Sequence, residues 1–128
     1  MNFVRKVKEF INKAYQGKIT EARDMLHENV LLEMSGNNQL SGKHYGKDVF
    51  FENFSKMLAL SNGTYKITKE YDWLNGEDKC LLIAEEFIER DGTMYYFDRV
   101  IQYDFEKDKI SKVRIYEGNP SVVNEAFR

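Results

Sequence analysis

The chain has little of several things that would fix a class quickly: one cysteine, one proline and two histidines in 128 residues. The lone thiol, Cys80, cannot close an internal disulfide, and no CxxC or thiol–histidine spacing surrounds it. A disulfide scaffold is excluded, and a reducing compartment, the cytoplasm, is the expected location. No run of about 18 apolar residues occurs, and the basic start MNFVRKVKEF lacks the apolar stretch of a leader, so the chain is expected neither to be exported nor to span a membrane. Lys and Arg number 19 against 21 Asp and Glu, a net charge of −2. There is no overall basic field for nucleic acid, and acids rather than bases interleave the tyrosines. His27 and His44 show no ligand spacing, so no metal is expected. Gly36, Gly42 and Gly46 are spaced by turns without the strand-to-helix fingerprint that cradles phosphates, so no cofactor is expected either. Ser35 and Ser41 have no histidine arrangement that would make a hydrolase triad.

What remains is a chain of the length of one domain, 1–128, able to bury a core without staples. Phe3, Val7, Phe10, Ile11 and Ala14 recur at three- and four-residue steps, one face of a helix ended by Gly17. A second helix is expected over Ile19 to His27, a short strand over Val30 to Met34, and a polar loop after it. A third helix follows, with Asp48 in its first turn and Phe50, Phe51, Phe54, Met57 and Leu58 on its apolar face. From Thr64 to Glu117 the pattern is strands in an antiparallel meander, with Asn75-Gly76 and Asp91-Gly92 as two-residue hairpin turns. Tyr65, Ile67, Tyr71 and Trp73 alternate with polar residues, the period of a half-buried strand. Lys79–Arg90, Met94–Phe105 and Ile110–Glu117 are apolar on both faces. Helices on one side and a second copy of the chain on the other would cover them, so a homodimer is expected. Pro120 closes the last strand, and Ser121–Phe127 can form a terminal helical turn. This order describes an α+β domain with a strongly curved sheet, helices closing its concave side and a cavity between them suited to a small molecule.

The stretch VLLEMSGNNQLSGKHYGKDVFFENF resembles the SnoaL-like branch of the NTF2-like, ketosteroid isomerase-related superfamily through Leu40-Ser41-Gly42 and Tyr45-Gly46-Lys47-Asp48. The stretch VIQYDFEKDKISKVRIYEG is similar to that family's last two strands. The resemblance implies an NTF2-like (cystatin-like) cone, a mostly antiparallel sheet with helices packed on its concave face, and a pocket that works without cofactor. Ser35 stands where many relatives have proline, Asp108 replaces a turn glycine, and Asn119 and Asn124 stand where relatives often have aspartate. The superfamily holds isomerases, epoxide hydrolases, polyketide cyclases, dehydratases and non-enzymatic binding domains, so fold alone assigns no reaction.

By the same resemblance Glu33 falls near the general-base carboxylate of the steroid isomerases. Its pKa would rise if Phe10, Trp73 and similar neighbours desolvated it. Alternatively it faces water, since Val30, Leu32 and Met34 take one face of the strand and Glu33 the other. Phe10 occupies the place of those isomerases' donor tyrosine and cannot donate, which argues against that reaction. Gln102 aligns near their protonated aspartate, and Tyr15 is a substitute donor. Tyr96, Asp98 and Gln102 share one strand face, and Arg114 and Tyr116 another. If these adjoin, an Asp98–Arg114 pair lines the pocket and orients an acidic or carbonyl ligand; otherwise it is an ion pair on the outer face. Three functions are compatible with this pattern. The favoured one is binding of a small cyclic or aromatic ligand in an apolar pocket. The others are a cofactor-free isomerase, cyclase or hydrolase with Glu33 as acid/base, and a non-catalytic dimerisation or docking domain.

Overall fold

The computed structural model describes residues 2–128. Helix α1 (Phe3–Tyr15) buries Phe3, Val7, Phe10 and Ala14, the stripe that the spacing requires, and Asn2 caps its start by accepting from the Arg5 N–H at 3.3 Å. It ends at Gly17, whose φ of +77° lets the Lys18 N–H reach back to the Lys13 carbonyl at 2.9 Å. Helix α2 is shorter than the periodicity predicts, Ile19–Asp24 rather than on to His27. The reason is tertiary. The Met25 carbonyl accepts the Ile110 N–H at 2.9 Å, drawing the chain into the sheet, so β1 runs Leu26–Met34 with His27 on the strand.

The loop expected after β1 contains a strand of its own, β2 (Gly42–Tyr45), paired antiparallel to β1 from Leu31↔Tyr45 to Met34↔Gly42. Helix α3 (Lys47–Leu60) buries Phe50, Phe51, Asn53 and Met57. The meander comprises β3 (Lys66–Asn75), β4 (Lys79–Arg90), β5 (Thr93–Glu106) and β6 (Lys109–Glu117), followed by α4 (Pro120–Ala126). The sheet order is β2-β1-β6-β5-β4-β3, antiparallel throughout except where β1 lies parallel to β6.

Two turn expectations come out differently. Asp91 and Gly92, with φ of +52° and +80°, do form the two-residue turn between Arg90 and Thr93. At the other hairpin Asn75 pairs with Cys80, and the Gly76 N–H donates to the Lys79 carbonyl at 2.7 Å. The reversal there is made by Glu77 and Asp78, two residues beyond the expected Asn75-Gly76. Strand β3 also departs from simple alternation. Its pairing with β4 shifts register between Ile67 and Lys69 and again between Glu70 and Asp72, which turns Tyr71 to solvent.

The helices pack on one face of the sheet, α1 over β3 and β4, α3 over β1 and β2, and α4 over β5. That face carries Cys80, Leu82, Ala84, Glu86 and Ile88 from β4 and Tyr95, Phe97, Arg99, Ile101 and Tyr103 from β5, all buried. Asn119 and Asn124 are ties within this fold. The Asn119 side-chain oxygen accepts the Asp98 N–H at 2.8 Å, and Asn124 Oδ1 accepts the Asn37 N–H and the Asn38 side-chain amide, each at 2.9 Å.

Gly36 sits against the second tie. Its φ is +103°, and an added Cβ would lie 2.7 Å from Asn124 Oδ1, which cannot retreat without losing both donors. At Gly17 the φ is also positive but nothing lies within 4 Å. Gly17→Ala is therefore expected to cost about 1 kcal/mol, from backbone strain alone, and Gly36→Ala about 2 kcal/mol or more. Thermal melts check this; equal losses for the two variants would refute the crowding.

Burial holds the Tyr103 hydroxyl well above its ordinary pKa of 10.0 and pushes the Cys80 thiol from 9.0 up to about 11. The unfolded chain thus ionises first as pH rises. Their contribution is complete below about pH 9 and is lost progressively at higher pH. Stability measured by urea melts is expected to fall steeply between pH 9 and 11, less so in Tyr103→Phe; identical slopes for the two proteins would contradict it.

Candidate functional site

Between helices and sheet lies a cavity of about 110 Å³. Most of its wall is apolar: Phe10, Ile11 and Ala14 come from α1, Phe50, Phe54 and Met57 from α3, Leu32 and Met34 from β1, and Val113 and Ile115 from β6. These positions alternate along the strands and step by three or four along the helices, so the binary pattern of the sequence builds the wall. Tyr15 is 42% exposed and stands where the cavity meets solvent.

One side of the wall is polar and buried. Arg99 on β5 donates from Nε and Nη2 to both carboxylate oxygens of Glu117 on β6, each at 2.8 Å, and from Nη1 to Glu86 Oε1 on β4 at 2.9 Å. The three side chains are each less than 5% exposed. The guanidinium also lies 4.8 Å from the ring centre of Phe97 and 5.9 Å from that of Phe127. Burial alone would favour the neutral guanidine, but the adjacent Glu86 and Glu117 outweigh it and hold Arg99 charged. The other Glu86 oxygen accepts a short hydrogen bond from the Tyr65 hydroxyl. Tyr65 in turn stacks on Tyr15, ring centres 5.4 Å apart and 13° from parallel. Burial of the hydroxyl ends, and then the Glu86 charge, hold both phenols well above the usual tyrosine range, so each keeps its proton and serves as a neutral hydrogen-bonding group.

Asn53 adds a second polar point. It is 6% exposed, lines the cavity, and its side-chain amide donates to the Met34 sulfur at 3.3 Å. Among the described residues its carbonyl oxygen has no hydrogen-bond partner.

Of the residues singled out in the sequence, Phe10 and Tyr15 line this cavity. The others lie elsewhere. Trp73 packs beside α1, with Lys8 5.3 Å over its ring and its indole N–H donating to Glu70 at 2.6 Å. Glu33, Tyr96, Asp98, Gln102, Arg114 and Tyr116 all occupy the opposite face of the sheet, because the cavity face takes Leu32, Met34, Phe97, Arg99, Ile101, Val113 and Ile115. The expected Asp98–Arg114 pair does not form. Register puts Gln102 opposite Arg114, while Asp98 accepts the Gly118 N–H at 2.8 Å and, at its side chain, the Tyr71 hydroxyl at 3.3 Å. Arg114 instead reaches Glu33 at 3.5 Å, Lys112 approaches Glu33 at 3.9 Å, and the Tyr116 hydroxyl donates to Gln102 at 3.2 Å. Glu33 is thus held by two cations in a shallow surface depression with Ser35, Lys43 and Tyr116, away from Phe10 and Trp73. His44 on β2 contacts the Leu40 carbonyl at 2.8 Å, and among the described residues no cluster of His, Cys, Asp or Glu could hold a metal ion.

The polar cluster was missed, yet a signal for it exists. Glu86 interrupts the apolar set Cys80, Leu82, Ala84, Ile88, and Arg99 interrupts Tyr95, Phe97, Ile101, Tyr103. The Asp91-Gly92 turn fixes Glu86 opposite Phe97, so Arg99 stands diagonal to it. Asn53 likewise breaks the apolar stripe of α3, three residues after Phe50 and four before Met57.

No protein-family model matches the sequence, and no curated protein matches it. Solved structures do. A protein of unknown function with cystatin-like fold from Xanthomonas campestris is 24% identical, with TM-score 0.89 over 99% of this chain and 98% of that one. An NTF2-like protein from Burkholderia xenovorans LB400 is 16% identical, with TM-score 0.81 over 98% and 95%. TerC, co-crystallised with polyporic acid, is 15% identical, with TM-score 0.74 over 93% and 95%. At these identities the likeness is one of fold. Taken with the six-stranded mixed sheet and the helices on one of its faces, it shows that this chain has the NTF2-like, cystatin-like fold.

Proposed function

We propose that the protein binds a small, mainly apolar organic molecule, cyclic or aromatic in shape, in the cavity between helices and sheet. The observation that carries this reading is the cavity itself: about 110 Å³, apolar over most of its wall, with buried polar groups at a few points. Dry apolar cavities of about 150 Å³ accept benzene, so this smaller space suits a compound of one ring, admitted as the mouth beside Tyr15 opens. The co-crystallisation of TerC with polyporic acid supports a fold that can hold small molecules.

Binding is favoured over acid–base catalysis for two reasons. Glu33 faces away from the cavity and is engaged by Lys112 and Arg114, so it is poorly placed to exchange a proton with a ligand there. Within the cavity, Tyr15 and Tyr65 are held protonated and Glu86 already accepts from both Arg99 and Tyr65. Such groups orient a ligand without drawing a proton from it.

The outer face is assigned to a second copy of the chain. Tyr71, Tyr96, Tyr116 and Met94 are exposed there, a set of large side chains of the kind enriched at interfaces. No helix among the described residues is long and apolar enough to cross a membrane, and a cytoplasmic site remains the location we infer.

Two measurements test these assignments. Toluene at ten times its Kd is expected to add about 1.4 kcal/mol to the stability of the native protein. Ala14→Leu, which fills the cavity from α1, is expected to melt cooperatively yet lose that response; an unchanged response would place binding elsewhere. For the outer face, light scattering is expected to give twice the 15.1 kDa chain mass, with Tyr96→Glu shifting the mass toward one chain. A wild-type mass of one chain would overturn the dimer.

A further inference from the structure

The cavity's polar groups are unevenly matched, and this says which ligands it takes. The inference rests on the binding reading above. Two carboxylates, Glu86 and Glu117, face one guanidinium, so the buried cluster has a formal surplus of one negative charge. All three nitrogens of Arg99 already donate to those carboxylates. One N–H on each Nη is left over, but the two acids already exceed the charge behind it, so a carboxylate or phosphate from a ligand would meet a cluster of net negative charge. Glu86, by contrast, lines the cavity, and each of its oxygens has a lone pair beyond the bond it accepts.

Asn53 points the same way. Its amide nitrogen has only the Met34 sulfur, a weak acceptor, and its carbonyl oxygen has no partner among the described residues. Placing the NH2 on the sulfur fixes the orientation of the amide, leaving oxygen as the open atom. The residue as a whole is 6% exposed, and because no fully buried side-chain nitrogen or oxygen among the described residues lacks a partner, this oxygen is open to the cavity, where a donor can reach it. The ordinary solution is an apolar residue. An asparagine in the middle of the Phe50, Phe54, Met57 stripe is explained by a donor that arrives with the ligand.

We infer that the cavity selects a neutral or cationic ring compound bearing an O–H or N–H donor and rejects organic anions, with Asn53 and Glu86 as the specificity-determining acceptors. This departs from the acidic or carbonyl ligand that an Asp98–Arg114 pair would have oriented, since both residues lie on the other face of the sheet.

The experiment is a set of probes of one shape: toluene, benzyl alcohol, benzylamine and benzoate, with Kd read by calorimetry or NMR shifts at pH 7 on the full chain. Benzyl alcohol and benzylamine are expected to bind about tenfold or more tighter than benzoate. In Asn53→Leu, benzyl alcohol is expected to weaken by about tenfold while toluene binds as tightly or more so. Asn53→Asp, which keeps the shape and adds a charge, is expected to raise benzylamine relative to benzyl alcohol. Benzoate binding as well as benzyl alcohol overturns the charge selection, and this comparison needs no variant, so it decides even if Asn53→Leu does not fold. Equal loss of toluene and benzyl alcohol in Asn53→Leu overturns the role of Asn53. If toluene and every other probe leave the wild type unmoved, the cavity reading itself falls, an outcome distinct from toluene binding without discrimination.

Discussion

The structure depends first on how one buried cation is satisfied. Arg99 sits on β5 between a carboxylate from β4 and one from β6, and its guanidinium lies against Phe97 and Phe127. Removing a charge of this kind from water is expensive, and the expense is met only because the fork of the guanidinium matches Glu117 at two points and Glu86 at a third. The arrangement joins neighbouring strands through side chains as well as backbone. It also attaches the C-terminal helix, since Phe127 closes over the cation. A two-residue slip would keep a wholly apolar inner face turned inward; here it would part Arg99 from its carboxylates and strand a charge.

The same constraint shapes the cavity. Because the charge of Arg99 is outweighed by two acids, the polar wall offers acceptors and protonated phenols rather than an unpaired cation. Structural necessity and the ligand preference we infer would therefore share one cause, and Tyr65 belongs to both: its proton completes the coordination of Glu86 while its ring stacks on Tyr15 where the cavity opens.

Much of the architecture was legible because it follows from periodicity and turn chemistry. The stripe of α1, the Asp91-Gly92 reversal and the meander are each dictated locally. What escaped was decided at a distance. The end of α2 and the start of β1 depend on a backbone partner at Ile110, and β2 forms because β1 offers it an edge. The site residues escaped for a different reason. Polar side chains that alternate along a strand, such as Tyr96, Asp98 and Gln102, mark the face turned from the core, so a search that follows density of polar groups finds the wrong side. The informative residues were the solitary interruptions, Glu86, Arg99 and Asn53, each a polar group where packing would favour an apolar one.

The parallel contact between β1 and β6 has its own bearing on how the molecule comes into being. Leu32 and Met34 stand beside Val113 and Ile115 in the sheet wall of the cavity, yet the two pairs belong to strands far apart in the chain. Their union carries the largest entropic cost of loop closure in the sheet, so the local hairpins are positioned to assemble before it. A chain emerging from synthesis can hold its meander through β5 and still have no enclosed space. Because Val113 and Ile115 line the cavity, its wall stays open until β6 has paired.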